Sequence, residues 1–155
     1  MKHEIPIELV TGFPVIDQQH AELLECAEQL MNALDERKDT ATALRIHSYL
    51  TDYSTRHFAM EEEVMVRFDY PDRVAHLTSH MVFTNRLRQI EDEIVAWGTG
   101  FELISEAGLL LPDFLTRHVS EYDLELARFL REQAPKKDPF QGRLVPSGSD
   151  REVSP

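Results

Sequence analysis

Five histidines and two acids of this sequence are spaced so that they could meet around a metal. His57 and Glu61 are four residues apart, and so are His76 and His80. Positions i and i+4 are neighbours on one helix face, about 5–6 Å apart at Cβ. Each pair can therefore aim two donor groups at one point. His20 and His118 each fall on the apolar stripe of a predicted helix. Asp123 follows His118 by five residues. That is about 140° round an ideal helix, which is not one face. Spacing alone nominates Glu121 as readily as Asp123. A single histidine on an apolar face is ordinarily a core residue bonded to a neighbour. Five imidazoles at one level of a core, with two acids beside them, are another matter, because buried polar groups without partners cost free energy. A metal that accepts their lone pairs removes that cost.

Competing chemistries lack their residues. There is no His-Glu-x-x-His run for a zinc protease. There is no Glu-x-x-His, the helical motif of ferritin-like carboxylate di-metal proteins. Cys26 is single, so neither an internal disulfide nor a cysteine-based zinc site is available. No glycine-rich phosphate loop occurs, and no serine or cysteine has a convincing nucleophile setting.

The elements that must position these donors are helices. Glycine is scarce, and apolar residues recur at steps of three and four. After an extended arm of 15 or so residues, the first helix is predicted from Asp17, as N-cap, to about Glu36. The second runs from about Ala41 to Phe68, with Asp39 or Thr40 as cap, and Asp69-Tyr70-Pro71 breaks it. The third continues to about Trp97, and Gly98-Thr99-Gly100 ends it. The fourth spans roughly Phe101 to Arg131, kinked at Pro112, with one stripe through Leu111, Leu115, Val119, Tyr122, Leu126 and Phe129. Short connections imply an all-α, antiparallel up-down-up-down four-helix bundle. Residues 1–131 form this domain, and 132–155 form a polar, flexible C-terminal tail whose removal is expected to leave metal binding unchanged.

Composition narrows the partners. The 155 residues carry 16 basic and 28 acidic side chains, a net charge of −12. An acidic chain is a poor ligand for nucleic acid or for an anionic membrane. No apolar run approaches the roughly 18 residues of a membrane span, and the first residues lack a signal-peptide pattern, so the cytoplasm is expected. Other residues are expected to be bland. His3 lies in the arm, and His47, about 80° off the face of His57, belongs at the surface or a boundary. Cys26 reads as a partly buried thiol, Glu62 and Glu63 as a solvated face, and Met60, Met65 and Met81 as core filler. Phe58, Phe83, Phe114 and Tyr122 either line a pocket or simply pack.

Four segments taken in series resemble the hemerythrin family of bacteria. They are Gly12-Phe13-Pro14-Val15-Ile16-Asp17-Gln18-Gln19-His20, His57-Phe58-Ala59-Met60-Glu61-Glu62, His76-Leu77-Thr78-Ser79-His80 and His118-Val119-Ser120-Glu121-Tyr122-Asp123. The resemblance covers roughly residues 5–131. It implies a metal set of His20, His57, Glu61, His76, His80, His118 and Asp123, and it is the resemblance that selects Asp123 over Glu121. It also implies two non-haem irons, an oxo or hydroxo bridge and reversible binding of dioxygen, as carrier, store or delivery protein. Two six-coordinate irons offer twelve positions; five histidines, two bridging carboxylates and one bridging oxygen fill eleven, leaving one for dioxygen. His76 and His80, neighbours on one helix, are expected on the same iron, where the resemblance adds His118. His20 and His57 then hold the iron with the open position. A non-enzymatic protein is expected. The alternatives are an oxygen or redox sensor acting through a separate protein partner, or an enzyme that detoxifies peroxide or nitric oxide.

Overall fold

The computed structural model describes residues 5–99, 110–133 and 138–142. Its helices are α1 (Pro14–Asp35), α2 (Thr40–Arg67), α3 (Arg73–Trp97) and α4, residues 110–133. The first two turns are tight, so α1, α2 and α3 run antiparallel, with α2 packed between α1 and α3 and α4 set against α1. This is the expected four-helix bundle. No described helix is long and apolar enough to cross a membrane.

Local chemistry sets the helix ends. Asp39 is the N-cap of α2, its carboxylate accepting from the Thr42 N–H at 2.9 Å and the Thr42 hydroxyl at 2.7 Å. Burial is nil there, and these bonds hold its carboxyl below the usual range. Both α1 and α2 end in a left-handed residue that is not glycine, Arg37 at φ 52° and Asp69 at φ 51°. In each case the next N–H returns to the carbonyl five residues back, Lys38 to Ala33 and Tyr70 to Met65, both at 2.9 Å. The α2–α3 turn is thereby short enough to bring Glu61 opposite His76 and His80.

The N-terminus of α1 differs from expectation. The helix begins at Pro14, whose fixed φ suits a first helical position, and Asp17 lies inside the first turn rather than at the cap. Its carboxylate folds back to accept from the Thr11 N–H (2.8 Å), the Thr11 hydroxyl (2.7 Å) and the Gly12 N–H (3.1 Å). The arm is consequently packed, with Leu9, Thr11 and Phe13 buried. At the other end of the chain, residues 138–142 turn back onto the bundle. Phe140 is buried edge-on against Phe13, ring centres 5.3 Å apart, and the Arg67 guanidinium donates to the Pro139 carbonyl at 2.7 Å.

In α4 the α-helical stretch Leu110–His118 is followed by a π-helical turn, Val119–Asp123, and α-helix resumes over Leu124–Gln133. The wider turn inserts one extra residue into the helical repeat. The buried face therefore shifts by one position. Asp123 and Leu130 take core places, while Tyr122 and Phe129, which the sequence pattern puts on the stripe, are only half-buried. The kink expected at Pro112 involves residues before Leu110 that lie outside the described residues, as does His3.

Two apolar clusters fill the bundle. The larger includes Leu23, Leu30, Leu50, Tyr53, Phe83, Ile90 and Leu115. The smaller closes one end and gathers Phe13, Ile16, Met60, Val64, Met65, Tyr70, Leu126, Leu130 and Phe140. Met81, expected as core filler, is instead 64% exposed on α3, beside Val82. Cys26 is fully rather than partly buried. Because Phe140 belongs to the smaller cluster, residues beyond α4 are not dispensable for stability. Deleting residues 134–155 should lower the melting temperature by roughly 6 °C or more, the scale of a lost core phenylalanine. Thermal denaturation checks this, and an unchanged midpoint would show that Phe140 contributes nothing.

Candidate metal centre

A polar layer separates the two apolar clusters. His20 enters it from α1, His57 and Glu61 from α2, His76 and His80 from α3, and His118 and Asp123 from α4. All seven are at most 3% exposed. Their donor atoms form two groups, each within 4.8 Å: His20, His57, Glu61 and Asp123, and Glu61, His76, His80, His118 and Asp123. Both carboxylates belong to both groups.

Each carboxylate divides its oxygens between the groups. Glu61 turns Oε1 toward His57 Nε2 at 3.5 Å, and Oε2 toward His76 and His80 Nε2 at 3.5 and 3.2 Å. Asp123 turns Oδ2 toward His20 Nε2 at 2.9 Å, and Oδ1 toward His76 and His118 Nε2 at 2.9 and 3.0 Å. The π-turn makes this possible. An i→i+5 hydrogen-bond ring brings Asp123 back over His118, which an α-helix does not do. Glu121, the alternative that spacing left open, points to solvent.

The imidazoles are oriented from behind. The His57 Nδ1–H donates to Gln19 Oε1 at 2.8 Å, and the His80 Nδ1–H donates to Glu62 Oε1 at 2.9 Å. Both partners are pure acceptors, so each Nδ1 carries the proton and each Nε2 presents a lone pair to the centre. Ser79 Oγ lies 2.8 Å from His118 Nδ1. Sequence reasoning missed all three partners. Glu62 reads as solvated because it follows Glu61 in an acidic triplet, yet its carboxylate reaches His80. Gln19 and Ser79 each adjoin a histidine in the chain and carry no signal of their own. Aromatic rings wall the layer. Phe58 stacks on His80 at 3.9 Å and 15°, and Tyr122 stacks on His118 at 5.5 Å and 25°. Phe83 and Phe114 pack behind them, 5.4 Å apart. His47 is outside this layer, but it is buried rather than at the surface, its Nε2–H donating to the Leu87 carbonyl at 2.7 Å. That bond supplies the partner its burial requires.

The layer fits a cation. His20, His57, His76 and His118 Nε2 and both Asp123 oxygens are buried and close to one another, yet none is aligned for a hydrogen bond. Lone pairs that converge without protons between them repel unless a positive charge sits among them. Without a bound cation the protons redistribute. Burial holds the His57 imidazole down, to about 4, despite the nearby Glu61. Burial opposes the charged form of His76 as well, but Asp123 and Glu61 outweigh it and raise that group to about 10. His20 is raised too, Asp123 overcoming burial. Burial and the Asp123 charge push the Glu61 carboxyl up, but His57, His76 and His80 together hold it below its ordinary range. Burial likewise pushes Asp123 up, and His118, His20 and His76 hold it well below its ordinary value.

A layer of buried carboxylates and imidazoles between helices defines a metal-binding four-helix bundle. A family model for the hemerythrin HHE cation binding domain matches residues 11–130. The chain belongs to the hemerythrin family. It is 31% identical over 116 residues to a bacteriohemerythrin of Pseudomonas aeruginosa, covering 75% of this chain and 73% of that one. It is 30% identical over 112 residues to a bacteriohemerythrin of Stenotrophomonas maltophilia, covering 72% and 71%. A hemerythrin-like protein of Naegleria gruberi is 24% identical over 111 residues, covering 71% and 78%. No solved structure matches the chain.

The shifted groups make the metal-free protein sensitive to pH on both sides. His57, depressed from 6.5 to about 4, withdraws stability as pH falls through that window, because the unfolded chain then binds a proton the folded one refuses. The depressed carboxylates act in the same direction at lower pH. His76, raised from 6.5 to about 10, contributes fully below 6.5 and loses that contribution as pH rises through 10. Thermal melts of metal-free protein should therefore show a maximum near the ordinary histidine value of 6.5. A midpoint that climbs steadily from that value to pH 10 would contradict the charge assignment of His76.

Proposed function

We propose that Glu61 and Asp123 bridge two iron ions, that His20 and His57 complete one site and His76, His80 and His118 the other, and that the centre binds dioxygen reversibly. Family membership supports a non-haem di-iron domain. The observation that carries the finer reading is the division of both carboxylates, one oxygen of each toward either histidine group. Two metal ions held by shared carboxylates require that arrangement, and one ion does not. A ferrous pair with an oxo or hydroxo bridge would supply two electrons to dioxygen and recover them on its release.

The chain's own residues supply the rest. Gln19, Glu62 and Ser79 hold the rings so that Nε2 faces inward, and the acceptor oxygens of Gln19 and Glu62 also set the tautomers of His57 and His80 and raise their basicity as ligands. Three imidazoles stand on one side and two on the other, so the donor shortfall falls on the side of His20 and His57, between α1 and α2. Phe58, Phe83 and Phe114 set apolar rings against the layer, which disfavours water on that side. A dry layer withholds the protons that would convert reversible binding into reduction. That favours a binding protein over an enzyme.

The spectrum of reduced, iron-loaded protein tests this directly. A visible band that appears in air and disappears on degassing is expected. A band that degassing does not reverse, with turnover of added peroxide, would support the enzyme reading instead. Iron analysis tests the donor set. Asp123→Asn should lose most of the iron, whereas Glu121→Gln should retain about the wild-type content, since its side chain is exposed and points away. Equal retention in both variants would contradict the assignment of Asp123.

A further inference from the structure

We infer that Phe140, from a turn beyond the fourth helix, seals the carboxylate side of the polar layer against water and so controls access to Glu61 and Asp123. The consequence for iron rests on the metal reading above; the seal itself does not.

A cavity of about 10 Å³ lies at the end of the bundle. That is close to the room one water needs. Glu61 and Asp123 form its polar wall, and Phe13, Ile16, Leu126 and Phe140 are among the apolar residues that close it. The two carboxylates shared by both histidine groups thus border this small cavity. Among the described residues, α4 and the start of α1 flank the cavity, and the arm and the 138–142 turn complete its cover.

Both parts of the cover are built to stay. The Asp17 carboxylate ties down Thr11 and Gly12, and Arg131 donates to the Thr11 carbonyl while its guanidinium lies 5.9 Å from the centre of the Phe13 ring. In the turn, the Phe140 N–H donates to Asp138 Oδ1 at 2.8 Å, the Gln141 N–H reaches the Asp138 carbonyl at 3.2 Å, and Arg67 holds the Pro139 carbonyl at 2.7 Å. Gly142 at φ +81° supplies the left-handed residue that completes the turn. Phe140 is 2% exposed, in a segment otherwise made of turn residues. The family match ends at residue 130, so this wall of the cavity comes from chain beyond it. Water admitted here would solvate the carboxylates, weaken their hold on a cation and offer protons next to it.

Full-length wild type, Phe140→Ala, Phe140→Leu and Ile94→Ala test the seal. Ile94 is buried in the larger cluster at the far end of α3, so its truncation controls for lost stability alone. Iron-loaded proteins are challenged with a ferrous chelator well below their melting temperatures. Phe140→Ala should release iron about tenfold faster than wild type or more, as expected when a core phenylalanine is removed from the opening path. Phe140→Leu should restore most of the retention, and Ile94→Ala should release at the wild-type rate. Hydrogen exchange on the metal-free proteins gives a second readout. Phe140→Ala should speed exchange in residues 11–20 and 124–130 while leaving 83–94 unchanged. Equal acceleration of iron release by Phe140→Ala and Ile94→Ala, or exchange that rises uniformly, would overturn the proposal. A wild type that takes up no iron would defeat the metal reading, and the exchange pattern would still decide the seal.

Discussion

Lone pairs that face one another in a dry interior have to be neutralised, and this bundle is built around that requirement. Two carboxylates and imidazoles from all four helices stand in one layer with their acceptor atoms turned inward. The tautomers of His57 and His80 are set from outside the layer, so at those two rings no proton is available to the interior. Protons alone give a compromise, in which burial drives His57 toward its neutral form, the acids draw His76 toward its charged form against burial, and the imidazoles hold both acids below their ordinary range. A cation shared by the acids resolves it. The apolar clusters on either side keep water from doing the same work.

Several irregular features serve this layer. The π-turn in α4 disrupts the regular repeat of that helix, and its result is that Asp123 rather than Tyr122 enters the core. The left-handed Asp69 closes α2 abruptly enough for Glu61 to meet α3 about two helical turns from the chain reversal. The arm and the 138–142 turn, which look like loose ends, cap the side on which the carboxylates approach the surface. Read as local defects, these features have no common cause; read from the polar layer, each places or protects one of its members.

Much of this was legible in the sequence, and the limits have physical reasons. Helix number, the boundaries of α1, α2 and α3 within a few residues, and the inward pairs His57/Glu61 and His76/His80 follow from the 3.6-residue period, which those segments obey; the start expected for the fourth helix, near Phe101, lies outside the described residues. The position of Asp123 does not, because the helix departs from that period where Asp123 is placed; only the resemblance selected it. Gln19 and Ser79 escaped because an orienting hydrogen bond depends on the direction of a ring across a helix interface, which spacing does not encode. His47 looked like a boundary residue for a related reason, since its partner is a backbone carbonyl of α3. Phe140 is one aromatic in a stretch of prolines and polar residues, and a single anchor produces no periodic signal.

The central claim is that the shared carboxylates join two metal ions. Diffraction from crystals of iron-loaded protein at the iron absorption edge tests it most directly. Two anomalous peaks are predicted, one against His20 and His57 and one against His76, His80 and His118, with Glu61 and Asp123 between them. A single peak, or scattering that identifies zinc and no iron, would contradict the account.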